Sequence, residues 1–132
     1  MGVIEFQQRG LPHAHIILRV CDDQAPTDAA SIDAHVSAKR PGEDEPVLRA
    51  LVDRFMTHSN CVGRKCFRGT GRKCRRRFPK DTCEVTHEDE RGYPVYARGS
   101  DDTWIVPYNP ILLLLFECHI NVEVSLVHYD QM

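Results

Sequence analysis

Residues 3–20, VIEFQQRGLPHAHIILRV, constrain this chain more than any other stretch. Side chains alternate across a strand with period two, so His13 and His15 share a face and Ala14 takes the other. Ile16, Ile17 and Leu18 continue the run in the manner of a buried strand. Arg9, Gly10, Leu11 and Pro12 read as a turn, with Gly10 free to take a positive φ and Pro12 placed where strand pairing begins. Residues 3–7 then pair antiparallel with residues 13–18, and Glu5 lies across from the histidines on their face. Two imidazoles and a carboxylate converging on one point suit a catalytic divalent metal with open coordination positions, Mg²⁺ or Mn²⁺. A His-x-His pair taken alone is ordinarily two surface histidines; Glu5 at hairpin spacing adds a little weight to the metal reading.

A second stretch carries metal chemistry of another kind. Residues 57–80, THSNCVGRKCFRGTGRKCRRRFPK, place His58, Cys61, Cys66 and Cys74 at short spacings. Thiolate and imidazole ligands of this sort suit tetrahedral Zn²⁺. Gly63, Gly69 and Gly71 permit the tight turns that gather them. The spacing matches no common finger, and Cys83 can stand in for His58 as the fourth ligand. The plain alternative is a loop of reduced, unpaired thiols. Six cysteines in a chain with no secretory leader favour metal or free thiols over disulfides.

The same stretch is basic. Arg64, Lys65, Arg68, Arg72, Lys73, Arg75, Arg76, Arg77 and Lys80 are nine of the 17 Lys and Arg residues, and no acidic residue falls between Asp53 and Asp81. A charge run is often only a solvated face or a localisation signal. Interleaved with cysteines, Phe67 and Phe78, it instead suits a phosphate backbone, with aromatics able to pack or to stack on bases. The overall net charge of −2 is uninformative because the charges are segregated.

The remaining chain reads as an α+β domain: an antiparallel sheet with packed helices. Thr27 or Asp28 caps a short helix reaching about Ser37, with Ile32 and Val36 on one face. Residues 39–46 form a charged loop. Pro46 opens a second helix whose stripe is Val47, Leu48, Leu51, Val52, Phe55 and Met56, packed on the sheet. Residues 82–86 are extended, residues 88–92 turn, residues 93–98 form an edge strand because of Pro94, and residues 103–106 form another strand. Asn109 and Pro110 start a third helix that buries residues 111–116. Residues 118–124, CHINVEV, alternate as a strand, with His119, Asn121 and Glu123 on one face. At 132 residues, 42% hydrophobic and 27% charged, the composition is that of one small soluble globular domain. The apolar run at 111–116 is too short to cross a bilayer. A nuclear or cytoplasmic, unsecreted protein is expected.

The stretch EFQQRGLPHAHIIL resembles the His-hydrophobe-His motif of Helitron replication initiators, the HUH endonuclease domain of rolling-circle transposons. Further segments resemble that family in the same order. Ile32, Asp33, Ala38 and Pro41 are followed by Leu51, Val52, Phe55, Met56 and His58. Then come Cys61, Cys66 and Cys74 leading into Phe78-Pro79-Lys80, residues 92–96, residues 106–114 and residues 118–124. The resemblance covers residues 3–124. It implies a partial HUH-like fold with a Cys/His zinc-type loop, single-stranded DNA as partner, and a fused helicase that this sequence does not contain. It also implies a metal at Glu5, His13 and His15 that polarises the scissile phosphate, and a tyrosine that attacks it to form a 5′-phosphotyrosine link. The paired catalytic tyrosines of the family follow the INVEV strand in a KYL.KY pattern. Residues 125–132 diverge from it, and no catalytic role passes to Tyr129. The expectation is a single partial domain, inactive alone as a nuclease. Two other classes of reading are a zinc-stabilised nucleic-acid-binding module without catalysis and a degenerate transposon remnant.

Overall fold

The structure is a computed structural model that describes residues 1–6, 10–21, 23–58, 66 and 74–125. It is α+β, with two small antiparallel sheets and three helices among the described residues. The first sheet is the hairpin of β1 (Gly2–Phe6) and β2 (Pro12–Ile16). Its register sets Glu5 opposite His13, Val3 opposite His15 and Ile4 opposite Ala14. Gly10 has φ +73°, the left-handed conformation its turn requires. Reciprocal backbone bonds between Met1 and Ile17, at 2.8 and 3.0 Å, extend the ladder by one pair.

The expected pairing is present, but the expected burial is not. Ile4, Phe6, Ile16, Ile17 and Leu18 are all exposed. A two-stranded ribbon has no third strand to cover it, and no described element packs on it. The second sheet pairs β3 (His87–Glu88) with β4 (Pro94–Val95) around a turn in which Asp89 Oδ1 accepts from the Arg91 and Tyr93 amides. The single sheet expected from the sequence is thus two separate ribbons.

Helix α1 (Ala29–His35) starts as its sequence dictates. Asp28 accepts from the Ser31 amide at 2.8 Å and the Ser31 hydroxyl accepts from the Asp28 amide at 3.0 Å, a reciprocal cap. Helix α2 (Pro46–Leu51) has Pro46 in its first turn and runs into a π-type turn over Val52–Met56. Helix α3 (Pro110–Phe116) is capped by Asn109 Oδ1, which accepts from the Leu112 amide at 2.9 Å.

Two clusters form the core. Leu48, Val52 and Met56 meet Ile105, Val106, Tyr108 and Leu113, with Leu51, Phe55, Phe78 and Ile120 at the margin. Helix α2 therefore packs on α3 and on the 105–108 segment rather than on a sheet, and Val47 points away, 66% exposed. Residues 103–106 are a turn followed by a lone bridge between Ile105 and Thr57, in place of the expected strand. The second cluster joins Ile32, Val36 and Ala38 to Tyr96, flanked by Val122 and Val124. Residues 118–124 keep the expected alternation, with Ile120, Val122 and Val124 turned inward, but pair with no strand. Their backbone is instead held by the Pro107 carbonyl and the Tyr96 hydroxyl, which accept from the amides of Val122 and Val124.

Helix α3 departs most from expectation. Only Leu113 of the 111–116 run is fully buried, while Ile111, Leu114, Leu115 and Phe116 are exposed. The helix ends on Glu117, held at φ 46° in the left-handed region. A carboxylate there also opposes the helix dipole. Glu117→Gly is expected to stabilise the fold by about 1 kcal/mol, read as a rise in the urea midpoint with unchanged slope. A lower midpoint would show that Glu117 makes a contact outweighing its backbone conformation.

Candidate metal centre

His58 follows Thr57, the residue that closes the π-type turn, and enters the site on a short backbone bridge. Its amide donates to the Trp104 carbonyl at 2.8 Å, beside the Thr57–Ile105 bridge and the bond from the Val106 amide to the Met56 carbonyl. Cys66 and Cys74 are brought close by the Arg75 amide, which donates to the Cys66 carbonyl at 2.7 Å. The next turn closes with the Arg77 amide donating to the Cys74 carbonyl, and Arg77 sits at φ 58°.

Among the described residues, His58, Cys66 and Cys74 are the one group of three whose ligand atoms all lie within 4.8 Å of one another. Cys74 Sγ is 3.3 Å from His58 Nε2. Tetrahedral zinc with bonds of about 2.0–2.3 Å sets its ligands about 3.5 Å apart, so the donor set and its spacing fit a metal ion such as zinc. Cys74 is buried and the other two are half-buried, which suits a closed structural site. Burial is the main cause that lowers the His58 pKa, helped by the charges of Arg76, His119 and Lys80. The shift favours the neutral ring, the form that ligates metal.

Cys61, the fourth ligand expected from the sequence, lies outside the described residues, as do Arg64, Lys65, Arg68, Arg72 and Lys73. Cys83 does not replace His58: its thiol donates to the Tyr96 carbonyl at 3.0 Å, and its backbone pairs with Arg98. The five described cysteines are all free thiols. Arg75, Arg76 and Arg77 are exposed directly after Cys74, and Lys80 is half-buried with Nζ 5.0 Å from the centre of the Phe78 ring. Burial, then the charges of Arg98 and Arg77, lower the Lys80 pKa.

The hairpin groups share a face as expected. Glu5 Oε2 lies 3.7 Å from His15 Nε2, and the His13 and His15 rings are 4.7 Å apart. They do not, however, close to the mutual spacing of the His58 group. Glu5 and His15 are each 62% exposed, so solvent screens the pair and holds it loosely.

Sequence reading misses Trp104 as a neighbour of the centre and leaves His119 on a face that either lines a metal site or meets solvent. His119 Nδ1 donates to the Phe55 carbonyl at 2.7 Å and adds its field at His58. Trp104 lies parallel to His58 across 46 residues of chain, 13° between planes; no spacing rule links positions so far apart. The tyrosines are placed by packing. Tyr108 is buried with its hydroxyl donating to the Lys39 carbonyl at 2.9 Å, Tyr96 is buried against Val124, and Tyr93 is exposed at the edge of β4. Burial, the main cause in each case, raises the pKa of Tyr96 and Tyr108.

The chain matches no known protein family and no curated protein. No helix among the described residues is long and apolar enough to cross a membrane.

Proposed function

We propose that the chain is part of a Helitron-type HUH endonuclease domain, in which residues 57–80 form a zinc-stabilised basic segment that binds single-stranded DNA. The observation that carries this reading is the convergence of His58, Cys66 and Cys74 with three exposed arginines continuing straight from the last ligand. A metal holding that turn fixes the spacing of Arg75, Arg76 and Arg77, so their charges meet phosphates without first being ordered. The test is a titration of the zinc-loaded chain with single-stranded DNA over a range of salt. With about six phosphates contacted, log K is expected to fall against log salt with a slope of roughly −4. A flat response would remove the basic segment as the binding surface.

The hairpin completes the reading. Glu5, His13 and His15 bind Mn²⁺ or Mg²⁺ weakly, with water filling the remaining positions. Replacing both histidines by alanine is expected to abolish Mn²⁺ binding by calorimetry and to leave the zinc content unchanged. Equal Mn²⁺ affinity in variant and parent would sink the catalytic-metal assignment. A second reading, a zinc-stabilised nucleic-acid-binding module without catalysis, is favoured by the exposure of those three groups and by the burial of Tyr96 and Tyr108 in the core clusters. Neither buried tyrosine can move to a phosphate without breaking its core cluster.

A further inference from the structure

Trp104 is the sole tryptophan of the chain, and it stands beside the metal centre rather than inside either core cluster. Its carbonyl accepts from the His58 amide, and the carbonyl before it, on Thr103, accepts from the Lys80 amide, both at 2.8 Å. The turn that carries it is therefore pinned between a metal ligand and the end of the basic segment. Three rings lie nearly parallel here. His58 and Phe78 are 4.5 Å apart at 24°, Phe78 and Trp104 are 6.3 Å apart at 11°, and His58 and Trp104 are 6.3 Å apart at 13°. Trp104 remains 37% exposed. Lys80 lies over Phe78, and Arg75, Arg76 and Arg77 are exposed in the turn that leads to it.

Parallel rings flanked by cations are the two parts a single-stranded nucleic acid needs: flat π-faces for bases and positive charge for phosphates. Duplex nucleic acid keeps its base faces stacked on one another, so it can use the charges but not the rings. The rings are held by backbone bonds from two sides, and one of them belongs to a metal ligand, so little ordering is left to be lost on binding.

We infer that Trp104, with Phe78 and His58, forms a stacking platform for unpaired bases, and that Arg75, Arg76, Arg77 and Lys80 take the adjoining phosphates. This deepens the proposed DNA-binding function and rests on it. Phosphate binding requires only the cations, whereas the platform requires bases, and that difference separates the two experimentally.

The zinc-loaded full chain is titrated with oligothymidylate of about 12 nucleotides and with an abasic strand of the same length and charge, following tryptophan fluorescence. The expected result is quenching by the base-bearing strand alone, with at least about tenfold tighter binding of it, since stacking one base is worth roughly 5- to 150-fold in affinity. Trp104→Leu is expected to abolish the preference and Trp104→Phe to retain most of it. Equal affinity for the two strands with unquenched fluorescence overturns the platform, and salt-dependent binding in that case leaves the phosphate-binding function standing. Binding of neither strand overturns both. The parent titration decides the matter even where the leucine variant does not fold, because it needs no substitution.

Discussion

In zinc-loaded protein, Cys74→Ser is expected to release the metal and to lower the melting temperature by about 10–15 °C. Cys74 is the buried member of the metal group, and its Sγ lies 3.3 Å from the His58 ring. Zinc held by His58, Cys66 and Cys74 would bind the folded arrangement of ligands and find no such arrangement in the unfolded chain, so its binding free energy would become folding free energy. At a free zinc concentration about 1,000-fold above the dissociation constant, that linkage is worth about 4 kcal/mol. For a domain of this size each kcal/mol moves the midpoint by roughly 3–4 °C. Chelation of the parent protein should reproduce the shift, and Cys118→Ser, at an exposed thiol outside the group, should leave both zinc content and melting unchanged. Parent protein purified without chelators and carrying no zinc, or melting identically with and without chelator, would remove the metal centre.

Leu113→Ala is expected to destabilise the fold by about 3 kcal/mol, and Leu115→Ala, two residues on, by less than about 0.5 kcal/mol. Leu113 is 0% exposed and joins Leu48, Val52, Met56 and Tyr108 in one cluster, whereas Leu115 is 68% exposed. Truncating Leu113 loses the transfer energy of its methyl groups and leaves a cavity that α2 and the 105–108 segment cannot close without breaking the backbone bonds that hold them. Equilibrium urea unfolding of the two variants is the measurement. Equal losses would mean that the exposed side of α3 is covered in solution.

That contrast also shows where the sequence stops being legible. Local chemistry reads well. Asp28 with Ser31, Pro46, and Asn109 with Pro110 each satisfy a helix start within three or four residues, and each lies where expected. The hairpin register follows equally from alternation and a glycine turn. Burial does not follow from composition alone: five apolar residues at 112–116 look alike in sequence, but only Leu113 is fully buried and Leu114, Leu115 and Phe116 are exposed. Residues 118–124 alternate as a strand would, although side-chain packing and hydrogen bonds donated by the Val122 and Val124 amides, rather than a ladder, hold them inward. At the metal centre the ligand types and short spacings are visible in residues 57–80. The apposition of Trp104, Phe78 and His119 is not, because it depends on the Thr57–Ile105 bridge and on the return of the chain after α3.

The contacts between residues 35–39 and 108–109 carry a consequence for how the chain is made. Ser37 and Tyr108 exchange backbone bonds, the Tyr108 hydroxyl donates to Lys39, and Asn109 donates to the His35 carbonyl. The apolar partners of α1 are Tyr96, Val122 and Val124. A seven-residue helix has no independent stability in water. At ribosomal speeds of roughly 5–20 residues per second, α1 therefore waits several seconds for the segments that cover it. Through that interval Ile32 and Val36 are exposed on a nascent chain whose apolar residues Ile4, Phe6, Ile16 and Ile17 are also uncovered, and a ribosome stalled before residue 108 would hold a polypeptide with neither core closed.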